Sequence, residues 1–403
     1  MKRNIIVTAC TSLFVICITF AIDFFFFSHE QTSDKIKVGF VYEGDEGIPG
    51  TNNFIRSQHI LEEQFGNKIE VICRSNVIPD KIEQTLDDFV AEGCSLIFTT
   101  NYTHSIPTKE AARKYPDVQF CQAFGDNAQE EPVVKNYHTF MGEIYQGRYI
   151  SGLVAGLKLK QLIDNHQIKA SEAKIGYIGA YPYPEIISGY TAFLLGVRAI
   201  VPEATMTVVY SYTWGSFSEE KACAEHLINE NCIIIAQHTN SIGPAIACEQ
   251  AAKKNLFHIG YNQSMTDVAP QTSLISTRIN WTPYILGAVE AMVKNKKIEN
   301  VVKGKSIGTD TWAGFDKNWV QMLEVNSFIS APGTEDLIEK TIQGFKKGKI
   351  SVFQGDYIGI NPYDENDTYN LKKEYHENKT SSSPTFNYIL KDIITIDEEI
   401  LFQ

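Results

Sequence analysis

The chain has 403 residues, 43% of them hydrophobic and 21% charged, a globular balance with enough apolar residues for one or two sizeable cores. Its formal net charge of −12 argues against nucleic-acid binding, which normally shows a basic face. The eight cysteines include no C-x-x-C pair and no His/Cys cluster has zinc-like spacing, so no structural metal or cofactor is expected. Cysteines beside apolar runs, as at Cys73 and Cys232, read as buried thiols rather than a disulfide framework.

At the N-terminus Lys2 and Arg3 precede an uncharged run from Ile5 to Ile22, which Phe24 to Phe27 extend. A run of about 18 apolar residues can span a bilayer, leaving the two cations cytoplasmic. A lipoprotein signal ending at Cys10 and a signal peptide cleaved after Ala21 are the alternatives. Few apolar residues precede Cys10, and cleavage after Ala21 would leave four phenylalanines near a new N-terminus. An uncleaved anchor fits better, so residues 1–34 are expected to be a membrane anchor or signal followed by a polar link. In each case the body is exported.

From residue 35 short apolar runs alternate with segments of helical periodicity. "KIKVGFVY", "KIEVICRS", "CSLIFTT" and "VQFCQAF" read as buried strands. Between them, "DKIEQTLDDFVAEG" places Ile82, Leu86, Phe89 and Val90 on one helical face. Such alternation implies right-handed βαβ units and a parallel sheet. After the amphipathic "EIYQGRYISGLVAGLKLK" the pattern restarts with "AKIGYIGAY", "TMTVVYSY", "CIIIAQH", "LFHIGYN" and "SLISTRI". Two series of about 120 residues each predict an α/β protein of two doubly wound parallel-sheet lobes rather than one long sheet.

The loop "FVYEGDEGIPGTNNF", Phe40 to Phe54, sits at the carboxyl end of the first strand, where open α/β sheets bind ligands. It matches neither GxxxxGK[ST] nor GxGxxG, so a nucleotide phosphate is not indicated. Its glycines and proline also suit a plain βα turn. The other strand ends shift that balance. Asn101 and Tyr102 follow the third strand, Phe124 the fourth, and "AYPYPE" opens the second series. Trp214, Asn240 and Asn262 follow later strands. Recurring aromatics and amides suit a planar, hydrogen-bonding, uncharged ligand.

These stretches resemble the basic membrane protein family of extracytoplasmic binding proteins, which includes receptors for purine nucleosides and nucleobases. The resemblance runs from about Lys35 to the C-terminus. It is carried by "GDEGIPGTNN", "NYHTFMGEIYQGRYISGLVAG", "KIGYIGAYPYPEIISGYTAFLLGVRAIVPEA", "YSYTWGSFSEEK", "IIAQHTNS" and "INWTPYILGAVEAM". It implies a type I periplasmic-binding fold. The first lobe would comprise 35–140 plus about 278–308. The second would comprise 141–277 plus about 309–403, with a C-terminal extension. Hinge segments near Phe140, Thr277 and Thr309 would let the lobes close on ligand. The implied role is capture of a small planar ligand, a purine nucleobase or nucleoside foremost, and its delivery to an ABC permease. The implied place is the extracytoplasmic side of the cell membrane.

Trp214 stands where the family stacks an aromatic on the base, with Tyr102 or Phe124 expected to approach from the first lobe. The chain also departs from the pattern. Ile48 replaces an aromatic, Asn52 and Asn53 replace a His-Asp pair, and Asn240 and Asn262 stand where carboxylates are expected. Asn280 and Trp281 are kept. A carboxylate only accepts hydrogen bonds, whereas an amide both accepts and donates, so the edge of the ligand would be read differently. The expected ligand contacts are Asp45, Asn52, Asn53, Asn101, Tyr102, Phe124, Trp214, Asn240, Asn262 and Asn280. Asparagines also close turns and cap helices, which would withdraw about half of these amides from the ligand.

His238 reads as a base or, more simply, a hydrogen-bonding scaffold residue. Glu185 reads as an acid in the first turn of a helix that can also approach ligand. Trp281 fits a core or hinge position, and Asp310, Trp312 and Trp319 fit a late structural hairpin. No GxSxG, HExxH or P-loop occurs and no partnered acid/base pair is evident, so a binding protein is expected rather than an enzyme. The alternative binding role is a membrane-anchored sensor module that signals to a partner protein.

Overall fold

The computed structural model describes residues 35–251 and 253–398. The expected membrane anchor lies outside them. Among the described residues no helix is long and apolar enough to cross a membrane.

The first five strands are β1 (Ile36–Val41), β2 (Ile69–Arg74), β3 (Leu96–Thr99), β4 (Gln119–Ala123) and β5 (Tyr137–Gly142). The second series gives β6 (Lys174–Gly179), β7 (Thr205–Tyr210), β8 (Ile234–His238), β9 (Phe257–Tyr261) and β10 (Ser273–Ile279). Short strands β11 (Lys305–Ile307), β12 (Asp310–Ala313) and β13 (Val320–Met322) follow. The last are β14 (Ile358–Asn361), β15 (Asp364–Asn370), β16 (Ile389–Leu390) and β17 (Ile394–Ile396). They form a first sheet, β11-β12-β5-β4-β3-β1-β2, and a second, β13-β10-β9-β8-β6-β7-β17. A small sheet, β15-β14-β16, completes the set. Only β11 and β13 run antiparallel within the two large sheets. The fold is the two-lobed, doubly wound α/β architecture that the alternation predicts.

The central strands are apolar runs because helices cover both faces of each sheet. All six residues of β5 are buried, as are five of six in β6. In the second lobe the helices Ile144–Asp164 and Pro184–Arg198 meet backbone to backbone at two glycines. A Cβ on Gly152 would lie 1.9 Å from the Phe193 carbonyl oxygen, and one on Gly196 2.2 Å from that of Tyr149. Only residues without a side chain allow this approach.

The chain passes between the sheets after β5, after β10 and between β12 and β13. The first two crossings fall within a few residues of the expected positions at Phe140 and Thr277. The third does not fall at Thr309. Asp310–Ala313 pairs in parallel with Thr139–Gly142, so β12 belongs to the first sheet and the chain leaves that lobe only after Ala313. The turn at Gly308, with φ of 57°, joins the β11–β12 hairpin instead of marking the hinge. Asp310 and Trp312 lie in that hairpin, and Trp319 lies in the crossing itself.

The C-terminal extension touches both lobes. β17 adds to the edge of β7, while the Ser382 N–H donates to Asp310 Oδ2 at 2.7 Å and Ser383 Oγ donates to the Gly125 carbonyl at 3.2 Å.

Candidate functional site

The carboxyl ends of both large sheets face one cavity of about 610 Å³. That volume lies in the range of small-molecule pockets, about 300–1,000 Å³. Its walls come from the βα loops of the two lobes, with Ser383 and Pro384 of the extension closing one side.

Aromatic rings form opposing walls. In the second lobe Tyr181 stacks on Tyr183 at 5.3 Å, and Trp214 lies 6.1 Å from Tyr181. In the first, Phe54 stacks on Trp281 at 4.5 Å while Phe124 meets Trp281 edge-on at 5.0 Å. Trp281 is therefore both core and cavity wall. Phe124 holds φ at 61°, a left-handed backbone that is rare for a bulky residue, and this turn sets its ring at the cavity.

Polar groups supply much of the rest of the lining, and most of the expected contacts are in it. Asp45, Asn101, Tyr102, Phe124, Trp214, Asn240 and Asn262 all line the cavity. Several spend their hydrogen bonds on one another. Asn101 Nδ2 donates to the Glu43 carboxylate, and Asn101 Oδ1 accepts from the Thr103 N–H at 2.8 Å. Asp45 Oδ1 accepts from the Gly47 N–H at 2.9 Å. The Tyr102 hydroxyl donates to Asp126 Oδ2 at 3.0 Å. Asn262, with φ of 64°, donates from Nδ2 to Asn240 Oδ1 at 2.6 Å.

Asn52, Asn53 and Asn280 do not line the cavity. Asn52 is exposed and donates to the Glu46 carbonyl at 3.1 Å, closing its own loop. Asn53 is buried and donates to the Ile279 carbonyl at 2.7 Å, tying the first lobe to the crossing after β10. Asn280 Nδ2 donates to the Asn318 carbonyl at 2.8 Å and so joins two crossings. The sequence places an amide near a strand end but does not say which way it turns.

Glu43, Asp126 and Glu185 are the lining carboxylates that the expected contact set lacks, as it also lacks the rings of Phe54, Tyr181, Tyr183 and Trp281. Glu43 and Asp126 lie two and three residues past the ends of β1 and β4, and Glu185 lies in the first turn of the helix that follows β6. With Asp45 they give the cavity four acids, and among the described residues no Lys, Arg or His lines it. Glu185 lies in the first turn of Pro184–Arg198 with its side chain 15% exposed, and Oε1 is 3.6 Å from His238 Nε2. Burial pushes its carboxyl up to about 7, against the pull of the Arg148 guanidinium. Arg148 is fully buried, lies 4.1 Å over the face of Tyr261 and donates to the Gln237 carbonyl at 2.8 Å. His238 is also fully buried, and burial together with Arg148 holds its imidazole well below its ordinary pKa. It is a neutral scaffold residue behind the cavity rather than a base within it.

The lobes already touch across the cavity mouth. A Cβ on Gly50 of the first lobe would lie 2.7–3.0 Å from the amide atoms of Asn240 in the second. Tyr102 and Tyr183 bring their ring centroids to 5.7 Å. This is a closed cleft.

Residues 55–352 match the family described as ABC transporter substrate-binding protein, PnrA-like. The chain belongs to that family. A purine-binding protein of Brucella abortus (strain 2308) is 29% identical over 328 residues, covering 81% of this chain and 85% of that protein. A Haloferax volcanii protein named as an ABC transporter glucose-binding protein is 29% identical over 237 residues, 59% of this chain and 56% of its own. The fold likewise matches an ABC transporter solute-binding protein from Aeropyrum pernix K1, with a TM-score of 0.64 at 15% identity, covering 82% of this chain and 95% of that one. As a PnrA-like substrate-binding protein it captures a small molecule for an ABC transporter and is not an enzyme.

Proposed function

We propose that this PnrA-like protein captures a neutral planar heterocycle, a purine nucleobase or nucleoside, and delivers it to an ABC permease on the extracytoplasmic face of the membrane. The observation that carries this reading is the composition of the cavity wall among the described residues: facing aromatic clusters, four acids, several amides and no cation. Aromatic faces suit a flat ring, and carboxylates accept from its N–H groups. A phosphate would meet acids with nothing to neutralise it, so nucleotides are disfavoured. The purine-binding relative supports the same class.

A thermal-shift and calorimetric screen of purines, pyrimidines, their nucleosides, their 5′-monophosphates and glucose tests this. A true ligand at about 100 times its Kd adds about 2.7 kcal/mol to stability. Nucleobases or nucleosides should shift the transition, and the monophosphates should shift it far less. A response to glucose alone would overturn the reading.

Trp214 is the proposed main stacking residue. It is half-buried, and its carbonyl accepts from the Asn240 N–H at 2.9 Å, so ring and amide are positioned together. Trp214→Ala should weaken every planar ligand by about 1–3 kcal/mol, the usual value of base–aromatic stacking. Asn240→Asp should instead re-rank ligands, because it converts an acceptor–donor pair into acceptors alone. Calorimetry on both variants, with circular dichroism to confirm folding, checks this. A folded Trp214→Ala protein of unchanged affinity would place Trp214 in the lobe's packing alone.

A further inference from the structure

We propose that Glu185 reads the edge of the bound heterocycle and couples its capture to a proton, selecting ligands that present an N–H donor beside a ring acceptor. The inference rests on the reading of the cleft as a heterocycle site and adds to it a residue, a ligand edge and a pH response.

The four cavity acids differ in their partners. Asp45 is held by the Gly47 N–H, Asp126 by the Tyr102 hydroxyl and Glu43 by the Asn101 amide. Among the described residues the Glu185 carboxyl has no hydrogen-bond partner, and His238 Nε2 stands 3.6 Å from Oε1. That nitrogen is itself buried without a partner. A carboxyl this enclosed, on the wall of a cavity and unsatisfied within the protein, is left to a ligand.

Its surroundings set which protonation state meets that ligand. Behind it lie Arg148 from helix Ile144–Asp164, His238 at the end of β8, Tyr177 in β6 and Tyr261 in β9. Tyr181 and Tyr183 flank it on its own loop, and Glu43, Tyr102 and Asp126 line the same cavity from the first lobe. The helix N-terminus and Arg148 favour the carboxylate, whereas burial opposes it. Burial keeps the hydroxyls of Tyr177 and Tyr261 protonated and the His238 imidazole neutral near pH 7. Burial holds the midpoint at about 7, so both forms are within reach of the ligand.

The two forms read opposite edges. A carboxylic acid donates from its O–H and accepts at its carbonyl, which matches an amino group beside a ring nitrogen, as in adenine. A carboxylate accepts twice, which matches two adjacent N–H donors, as in guanine. If the acid form holds adenine, binding raises the Glu185 midpoint and takes up a proton above pH about 7. Affinity then falls by up to tenfold per pH unit as pH rises above that midpoint. A guanine-type edge behaves in the opposite sense, releasing a proton below the midpoint.

Calorimetry with adenine and guanine at pH 6, 7 and 8, each in buffers of differing ionisation enthalpy, measures affinity and proton uptake together. The expected result is adenine bound with proton uptake at pH 8, and a weaker affinity there than at pH 6. Glu185→Gln carries a permanent donor beside an acceptor, mimicking the acid. It should keep adenine within about threefold, lose the pH dependence and weaken guanine. Glu43→Gln should leave the proton linkage in place. Adenine binding that is independent of pH, or a linkage that survives Glu185→Gln and vanishes in Glu43→Gln, would overturn the assignment while leaving the heterocycle reading intact. Failure of every heterocycle to bind at any pH would overturn both.

Discussion

Gly152→Ala is expected to be among the most destabilising single substitutions in the second lobe, with Gly196→Ala close behind. Each adds one methyl group at the crossing of the helices Ile144–Asp164 and Pro184–Arg198. On Gly196 that methyl would meet the Tyr149 carbonyl oxygen at 2.2 Å and the Leu153 nitrogen at 3.0 Å. On Gly152 it would meet the Phe193 carbonyl oxygen at 1.9 Å. These neighbours are backbone atoms within helices, so no rotamer change relieves the clash. The helices must part, and the buried side chains of Ile150, Val154, Phe193 and Val197 would lose contact with them. Overpacking costs about 1–3 kcal/mol and more where backbone has to move. The gain in helix propensity from glycine to alanine returns at most about 1 kcal/mol. A net loss of about 2 kcal/mol or more is a large share of a total near 5–15 kcal/mol. The two changes strain one contact, so the double variant should fall short of the sum. Urea denaturation followed by circular dichroism checks this. Either variant unfolding at the wild-type midpoint would show that the crossing is looser than described.

What the sequence reveals follows from where side chains must go. Runs such as Val38–Val41 and Ile175–Gly179 are legible as strands because a strand buried on both faces has no polar alternation to disguise it. The restart of the pattern at β6 exposes the second lobe for the same reason. The third crossing escapes because β12 joins its sheet through Thr139–Gly142, a partner far away in the sequence. Nothing local in "DTWAGF" reports that pairing. The site divides along similar lines. Trp214, Asn240 and Asn262 follow strands and face the cavity, as the topology requires. Asn52 and Asn53 sit one residue apart in a helical turn, so they point in different directions, one to solvent and one to Ile279. The cavity has carboxylates at Glu43, Asp126 and Glu185 instead of at Asn240 and Asn262, and of these only Glu185, in its helix's first turn, is legible in the sequence as a residue that can approach ligand.

Gly50→Val is expected to weaken every ligand of the cleft together while leaving the empty protein as stable as before. Gly50 begins the helix Pro49–Phe65 in the first lobe and faces the Asn240 amide of the second. An added Cβ would come within 3.0 Å of three atoms of that amide, whose own Oδ1 is held by Asn262. The amide therefore cannot swing aside without breaking a bond that positions the cavity wall. If the lobes part, the same side chain should meet solvent in place of the amide. The strain falls on the closed state alone, and a ligand that needs closure must overcome it. If overpacking costs about 1–3 kcal/mol, the apparent affinity drops by roughly 5- to 150-fold through the smaller closed population. Alanine should sit at the mild end and valine at the severe end. Small-angle scattering gives the second readout: wild type should become more compact on saturation, and Gly50→Val should remain expanded at ligand concentrations that close the wild type. Replacing Asn240 by alanine in the Gly50→Ala background removes the obstructing amide and should restore closure by scattering, whatever it does to ligand choice. Unchanged affinity in Gly50→Val would mean that ligand is held without this approach of the lobes, and the touching mouth would then be incidental to capture.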